Sequence, residues 1–305
     1  MVVKHCIKLK EIIMKKIALA TILAAASVVA SAQVSVSGAV RTFADRTTTG
    51  GATVDSMVND SSRIAFSATE KLANGATVRA VIDTAVAATD PTTGASTQIG
   101  NRQSTIGVSA AGATVQLGRN LNSYFLAIAN TDAFTTDYGT IAGDVHNIRT
   151  VRSGSAAFAS YTAGPVTVAV DRTFADTATD TTTYSIVGKL GPVTGTASQY
   201  TAGSEKSMLL AAQASYAGVA LTASHGTSSG AAGDKVSNLL GASMKLGSSP
   251  VTVKGSYGVA TGSVVAYNLG ADYALSKRTG ISAAYRNVDA ATDVKSFGVG
   301  LTHSF

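Results

Sequence analysis

Residues 297–305 read FGVGLTHSF. An extended chain points successive side chains to opposite faces. Phe297, Val299, Leu301, His303 and Phe305 therefore share one face, and Gly298, Gly300, Thr302 and Ser304 the other. The first face is apolar and bounded by aromatics; the second is small and polar. Termini of soluble domains fray into polar tails, so a closing strand that ends on Phe305 fits another setting. There, one face meets lipid, the other meets water, and an aromatic marks the boundary.

The pattern repeats upstream. In Ser61–Glu70, Ile64 and Phe66 oppose Arg63, Ser67 and Thr69; in Pro250–Ala260, Val251, Val253, Tyr257 and Val259 oppose Thr252, Lys254 and Ser256. Sixteen such segments, each about 8 to 12 residues, span the chain from Val34 to Phe305. Tight turns (Lys71–Gly75, Ala111–Ala113, Gly191-Pro192, Ala217-Gly218, Gly247–Ser249) alternate with longer polar connections (Asp45–Asp60, Ala87–Asn101, Leu121–Asn147, Ala175–Thr182). Short turns at one rim and long loops at the other predict a membrane-spanning antiparallel β-barrel. Backbone polar groups cannot stay unpaired in lipid, so the sheet must close. A soluble β-sandwich shows the same alternation, with its apolar face turned inward.

The other end of the chain fits export. Lys15 and Lys16 follow Met14, an apolar run extends from Ile17 to Ala30, and Ala30-Ser31-Ala32 offers cleavage before Gln33. The order is that of a secretory signal peptide, and the run is shorter than the roughly 20 residues of a spanning helix. The expected division is a leader over 1–32, with the true start at Met14, and one barrel over 33–305. Five of the 24 Lys and Arg and one of the 18 Asp and Glu fall in the leader, leaving 19 against 17. The overall charge of +6 is therefore no nucleic-acid footprint. The single cysteine, Cys6, lies there too, so a disulfide framework and a cysteine-zinc site are excluded from the mature chain.

Four stretches resemble the general porins of Gram-negative bacteria, the β-proteobacterial type in particular. They are SSRIAFSATEKLANG (61–75), NRQSTIGVSAAGATVQLGRN (101–120), GADYALSKRTGISAAYRNVD (270–289) and the FGVGLTHSF terminus, about a fifth of the mature chain in the family's order. The resemblance implies a sixteen-stranded, trimeric barrel that passes ions and small hydrophilic solutes by passive diffusion. It also implies that the third long loop, Leu121–Asn147, folds into the pore and narrows it. Expected partners are outer-membrane lipid, lipopolysaccharide and the barrel assembly machinery, in the cell outer membrane. Phe305 is the expected assembly signal.

Function in such a channel is electrostatic. The expected basic side of the constriction is Arg41, Arg63 and Arg79, on the inward parity of early strands, with Arg119 at the base of the loop. The expected acidic side is Asp132, Asp137 and Asp144 on the loop, while Tyr124, Phe125, Phe134 and Tyr138 pin it to the wall. Lys245, Lys254 and Arg286 are read as lumen lining. The acid-rich motif of many relatives is not clearly present in the loop, and the balance leans weakly towards anions. A substrate-specific channel differs only by a saturable internal site. An enzyme in a barrel lacks support: His146, His225 and His303 are isolated, and no GxSxG or HExxH occurs. A secreted adhesin is the remaining alternative. No cofactor or metal is expected.

Overall fold

Alternating segments become strands wherever the apolar parity is uninterrupted. The computed structural model describes residues 33–87, 98–148, 150–174, 179–231 and 233–305. The early strands are β1 (Gln33–Thr49), β2 (Ala52–Asn59), β3 (Arg63–Lys71), β4 (Thr77–Ala85), β5 (Gln103–Ala110) and β6 (Ala113–Leu121). Two short helices follow, α1 (Ser123–Asn130) and α2 (Ala142–Val145). The wall continues with β7 (Arg152–Ala163), β8 (Val166–Thr173), β9 (Thr181–Leu190), β10 (Val193–Ala202), β11 (Glu205–Tyr216) and β12 (Val219–Ser229). It ends with β13 (Lys235–Lys245), β14 (Val251–Ala260), β15 (Val264–Ala274), β16 (Thr279–Asp289) and β17 (Val294–Ser304).

Each strand pairs antiparallel with its sequence neighbour, and β17 pairs with β1 from Ala39↔Ser304 to Thr49↔Val294, so the sheet closes. Both β2 and β3 pair with β1, through Thr42↔Asn59 and Ala39↔Arg63. They are halves of one stave broken at Asp60–Ser62, where Ser61 takes φ 59°. The barrel therefore has sixteen strands. The expected loop Asp45–Asp60 is instead a hairpin, with Thr49 opposite Ala52: the Thr-rich stretch lacks large apolar residues yet continues the ladder. The strand expected from Ile148 starts only at Arg152.

At the short-turn rim, Ala111-Gly112 and Ala217-Gly218 each hold positive φ at both residues, the geometry whose twist matches paired strands. The exterior carries Val36, Phe66, Ile106, Leu117, Ile186, Leu210, Leu240, Leu269 and Leu301, all exposed. Exterior Tyr184, Tyr257, Tyr267 and Phe297 lie towards the long-loop rim, and Tyr161, Tyr216, Tyr273 and Phe305 towards the short-turn rim. Two aromatic girdles of this kind bound an apolar band in membrane barrels. No helix among the described residues is long and apolar enough to cross a membrane.

The buried apolar cluster lies between the segment after β6 and the small-polar face of the wall. Tyr124, Ile128, Ile141 and Val145 of the segment pack with Tyr200, Leu209, Leu239 and Val288 of the strands.

Candidate functional site

The segment between β6 and β7 is anchored at successive points. Asn122 caps α1 by accepting from Tyr124 N at 2.9 Å, while its Nδ2 donates to Thr183 Oγ1 at 2.9 Å. Ser123 gives both its backbone N–H and its hydroxyl to Asp171, each at 2.6 Å. Further on, Asp137 pairs with Arg41 on β1 at 2.7 Å. Tyr138 donates its hydroxyl to Asp45 and stacks on Phe43, centroids 4.1 Å apart. Burial and Asp45 hold that phenol well above its ordinary range, so it stays a donor. Asn268 Nδ2 donates to Gly139 O at 2.8 Å, and Arg286 Nε donates to Asp144 at 3.1 Å.

His146 closes the series. It is buried, with Nδ1 2.9 Å from Ser237 Oγ and Nε2 2.7 Å from Ser224 Oγ. Burial, with His225 nearby, pushes its pKa down to about 4. The ring is therefore neutral near pH 7.

These anchors fall on β1, β8, β9, β12, β13, β15 and β16, and among the described residues none falls on β3 to β6. That bare sector is basic. Arg63 stands on β3, Asp83 on β4, Arg102 immediately before β5 and Arg152 at the start of β7. Arg102 Nε is 3.4 Å from Asp83 Oδ2. Arg102, Asp83, Arg119 and Arg63 are all close enough to Arg152 to act on its charge.

The expected residues divide accordingly. Arg63 joins the basic sector. Arg41 lies at its edge, already paired with Asp137. Arg119 sits where the β6–β7 register shifts between Gly118 and Asn120, its Nε donating to Asn101 O at 2.6 Å. Arg79 is exposed on β4, four residues from Asp83 towards the short turn, and stands apart from the others. Asp137 and Asp144 are each held by a wall arginine. Asp132 is only 3% exposed: its carboxylate accepts from Phe134 N, Thr136 N and Thr140 Oγ1, organising the segment's own turn. Lys254 pairs with Asp272 at 2.9 Å and lies 4.6 Å from the Phe134 ring centre. Lys245 ends β13 at the short-turn rim. Gln33 opens β1, whereas Ala32 lies outside the described residues. Phe305 accepts from Gly38 N through its backbone oxygen at 3.0 Å.

Arg102 and Arg152 were missed for a definite reason. Arg102 has the parity of exterior Ser104 and Ile106, and Arg152 precedes an irregularity at Ser155, φ 47°. Strand alternation predicts neither as part of a basic group. The usable signal was spacing, since Arg63, Asp83, Arg102, Arg119 and Arg152 recur near one end of successive strands.

A polar cavity of about 340 Å³ lies beneath the Asp137-Tyr138 tip, lined by Arg41, Asp60, Lys254, Asp272 and Arg278 among others. Among the described residues no three His, Cys, Asp or Glu gather as a metal site.

A closed sixteen-stranded barrel with an apolar exterior and a charged, hydroxyl-rich opposite face defines a transmembrane channel. The family model for Gram-negative porins matches residues 18–305, and the chain belongs to that family. No curated protein sequence matches it significantly. Its fold is similar to that of the anion-selective porin from Comamonas acidovorans, with TM-score 0.76 and 18% identity over 90% of this chain and 100% of that one. The in-vitro folded trimer form of OmpT from Vibrio cholerae gives 0.72 and 12%, over 90% and 99%. A mutant of the Rh. blastica porin gives 0.71 and 16%, over 90% and 100%. The protein is an outer-membrane channel for passive diffusion.

Proposed function

We propose that this porin prefers anions, and that its constriction lies between the anchored segment and the basic sector that runs from β3 to Arg152 at the start of β7. The observation that carries the reading is the charge distribution. Asp137 and Asp144 are each matched by a wall arginine, while among the described residues Arg63, Arg102, Arg119 and Arg152 stand around a single carboxylate, Asp83. The solute path therefore meets an uncompensated positive wall, which favours anions in a narrow, partly desolvated opening. The segment serves as the loop that narrows the pore; its anchors on the small-polar wall face support this.

The rest of the reading follows from family and chemistry. Residues 1–32 act as a cleaved leader, the barrel assembles as a homotrimer, and the exterior girdles meet lipid and lipopolysaccharide. Phe305 serves as the signal to the assembly machinery. No catalysis is assigned: His146 is clamped between two serines and His225 bonds to Asn238 on the exterior face. The test is planar-bilayer recording of the refolded mature chain under a salt gradient. Stepwise conductance with an anion-side reversal potential supports the reading. A cation-side value overturns the preference, and no conductance from a folded barrel overturns the channel.

A further inference from the structure

We infer that Arg63, Arg102 and Arg152, with Asp83, form a saturable site for a compact, doubly charged oxyanion, such as phosphate, sulfate or a short dicarboxylate. The inference rests on the channel reading and assigns a ligand class to its basic wall.

Three observations support it. First, the group carries more cations than its carboxylate can answer. Asp83 meets Arg102 at 3.4 Å, longer than the usual 2.7–2.9 Å of a charge-assisted bond, while Arg63 and Arg152 remain within electrostatic reach. Second, a donor in the group is buried without a partner: Arg152 Nε makes no hydrogen bond. A buried N–H without an acceptor is costly, and an anion oxygen would satisfy it. Third, the groups are partly desolvated, Arg102 and Asp83 side chains being each 16% exposed. Clustered cations repel one another more strongly there than in open water.

A doubly charged anion relieves that repulsion more fully than chloride does. Its several oxygens can also accept forked bonds from more than one guanidinium. A purely diffuse field would need no such clustering, and no unsatisfied donor. The predicted behaviour is transient occupancy: chloride passes, while a dianion lingers and interrupts it.

The experiment is single-channel recording in potassium chloride with added potassium phosphate or sulfate at fixed ionic strength. The expected result is a saturating fall in chloride current with excess noise, absent when potassium formate is added instead. R102Q and R152Q should each weaken half-block by about tenfold, the loss of one charge-assisted contact. R46Q, which breaks an exterior pair with Asp55, should leave block unchanged. Heat-modifiable migration establishes that each variant has folded. Current that follows phosphate or sulfate linearly, without saturation, overturns the site, as does full block in R152Q. Neither result touches the porin assignment, which fails only if no conductance steps occur. Anion preference fails separately, by a cation-side reversal potential.

Discussion

Gly298→Ala tests whether the segment tip holds where its anchors place it. Gly298 lies on β17 opposite Asp45, facing the segment. A Cβ added there would fall 2.6 Å from Tyr138 Cζ and 3.0 Å from Ala44 O, and closer still to the phenol oxygen. Ordinary carbon contacts need about 3.5 Å or more, so the Tyr138 ring must move by roughly 1 Å. It cannot do so freely, because it stacks on Phe43 and its hydroxyl is bonded to Asp45. Losing a hydrogen bond to a carboxylate costs about 1.5–3 kcal/mol, and losing an aromatic stack about 0.5–1.5 kcal/mol. The tip's docking equilibrium should thus weaken by roughly 2–4 kcal/mol, or about thirty- to a thousandfold.

The assay is single-channel recording beside a thermal melt of the heat-modifiable band. G298A should give larger or flickering open states with the barrel melt little changed, since its strand pairing is kept. G195A is the control: its added methyl meets nothing within 4 Å. Conductance and noise identical to the unmodified protein in G298A would refute the proposed place of the tip in the channel.

Three further outcomes follow. The unfolded chain takes up a proton near pH 6.5 that folded His146 refuses until about pH 4. Stability should therefore fall as pH drops through that window, by about 3 kcal/mol at its low end. Denaturant melts of H146N should lack that component, and identical pH dependence in both proteins would exclude it. D144N leaves half-buried Arg286 without its partner and should loosen the segment by about 1–3 kcal/mol. Adding R286Q should restore part of this, read by protease cleavage within 131–147. A side chain at Gly38 would strike the Phe305 ring and approach Arg63 O to 2.6 Å, so G38V should cut the yield of closed barrel on refolding; an unchanged yield refutes it.

The wall was legible because lipid on one side imposes a strict rule on alternate residues. The expected turn Gly191-Pro192 falls where β9 ends at Leu190 and β10 opens at Val193, and errors arise where that rule lapses. Thr47–Thr49 and Ala52–Val54 continue the ladder without the large apolar residues that mark lipid contact. The segment's docking surface was also written in the sequence, as breaks in alternation. Leu209 lies between Met208 and Leu210, and Leu239 beside Leu240, so both faces read as apolar; the buried partner of each is on the segment. The acids were harder. A sequence shows that Asp132, Asp137 and Asp144 share a loop, but not that Asp132 folds back onto its own backbone.

Anchoring and selectivity draw on the same charges. Around the buried apolar cluster, the wall beneath the segment is lined with small hydroxyls (Ser198, Ser207, Ser224, Ser237, Ser256). There the loop is fixed by point contacts, the strong ones joining loop acids to wall arginines. Each such contact removes one acid from the solute path and one arginine from the opposing field. With Arg41 and Arg286 so engaged, the basic character of the proposed opening falls to arginines that, among the described residues, pair with no acid of the segment. A relative that kept an unpaired acid at the tip would set a field across the pore. This chain instead leaves its charge on one wall, so its selectivity should respond more to changes at Arg102 and Arg152 than to changes at Asp137 or Asp144.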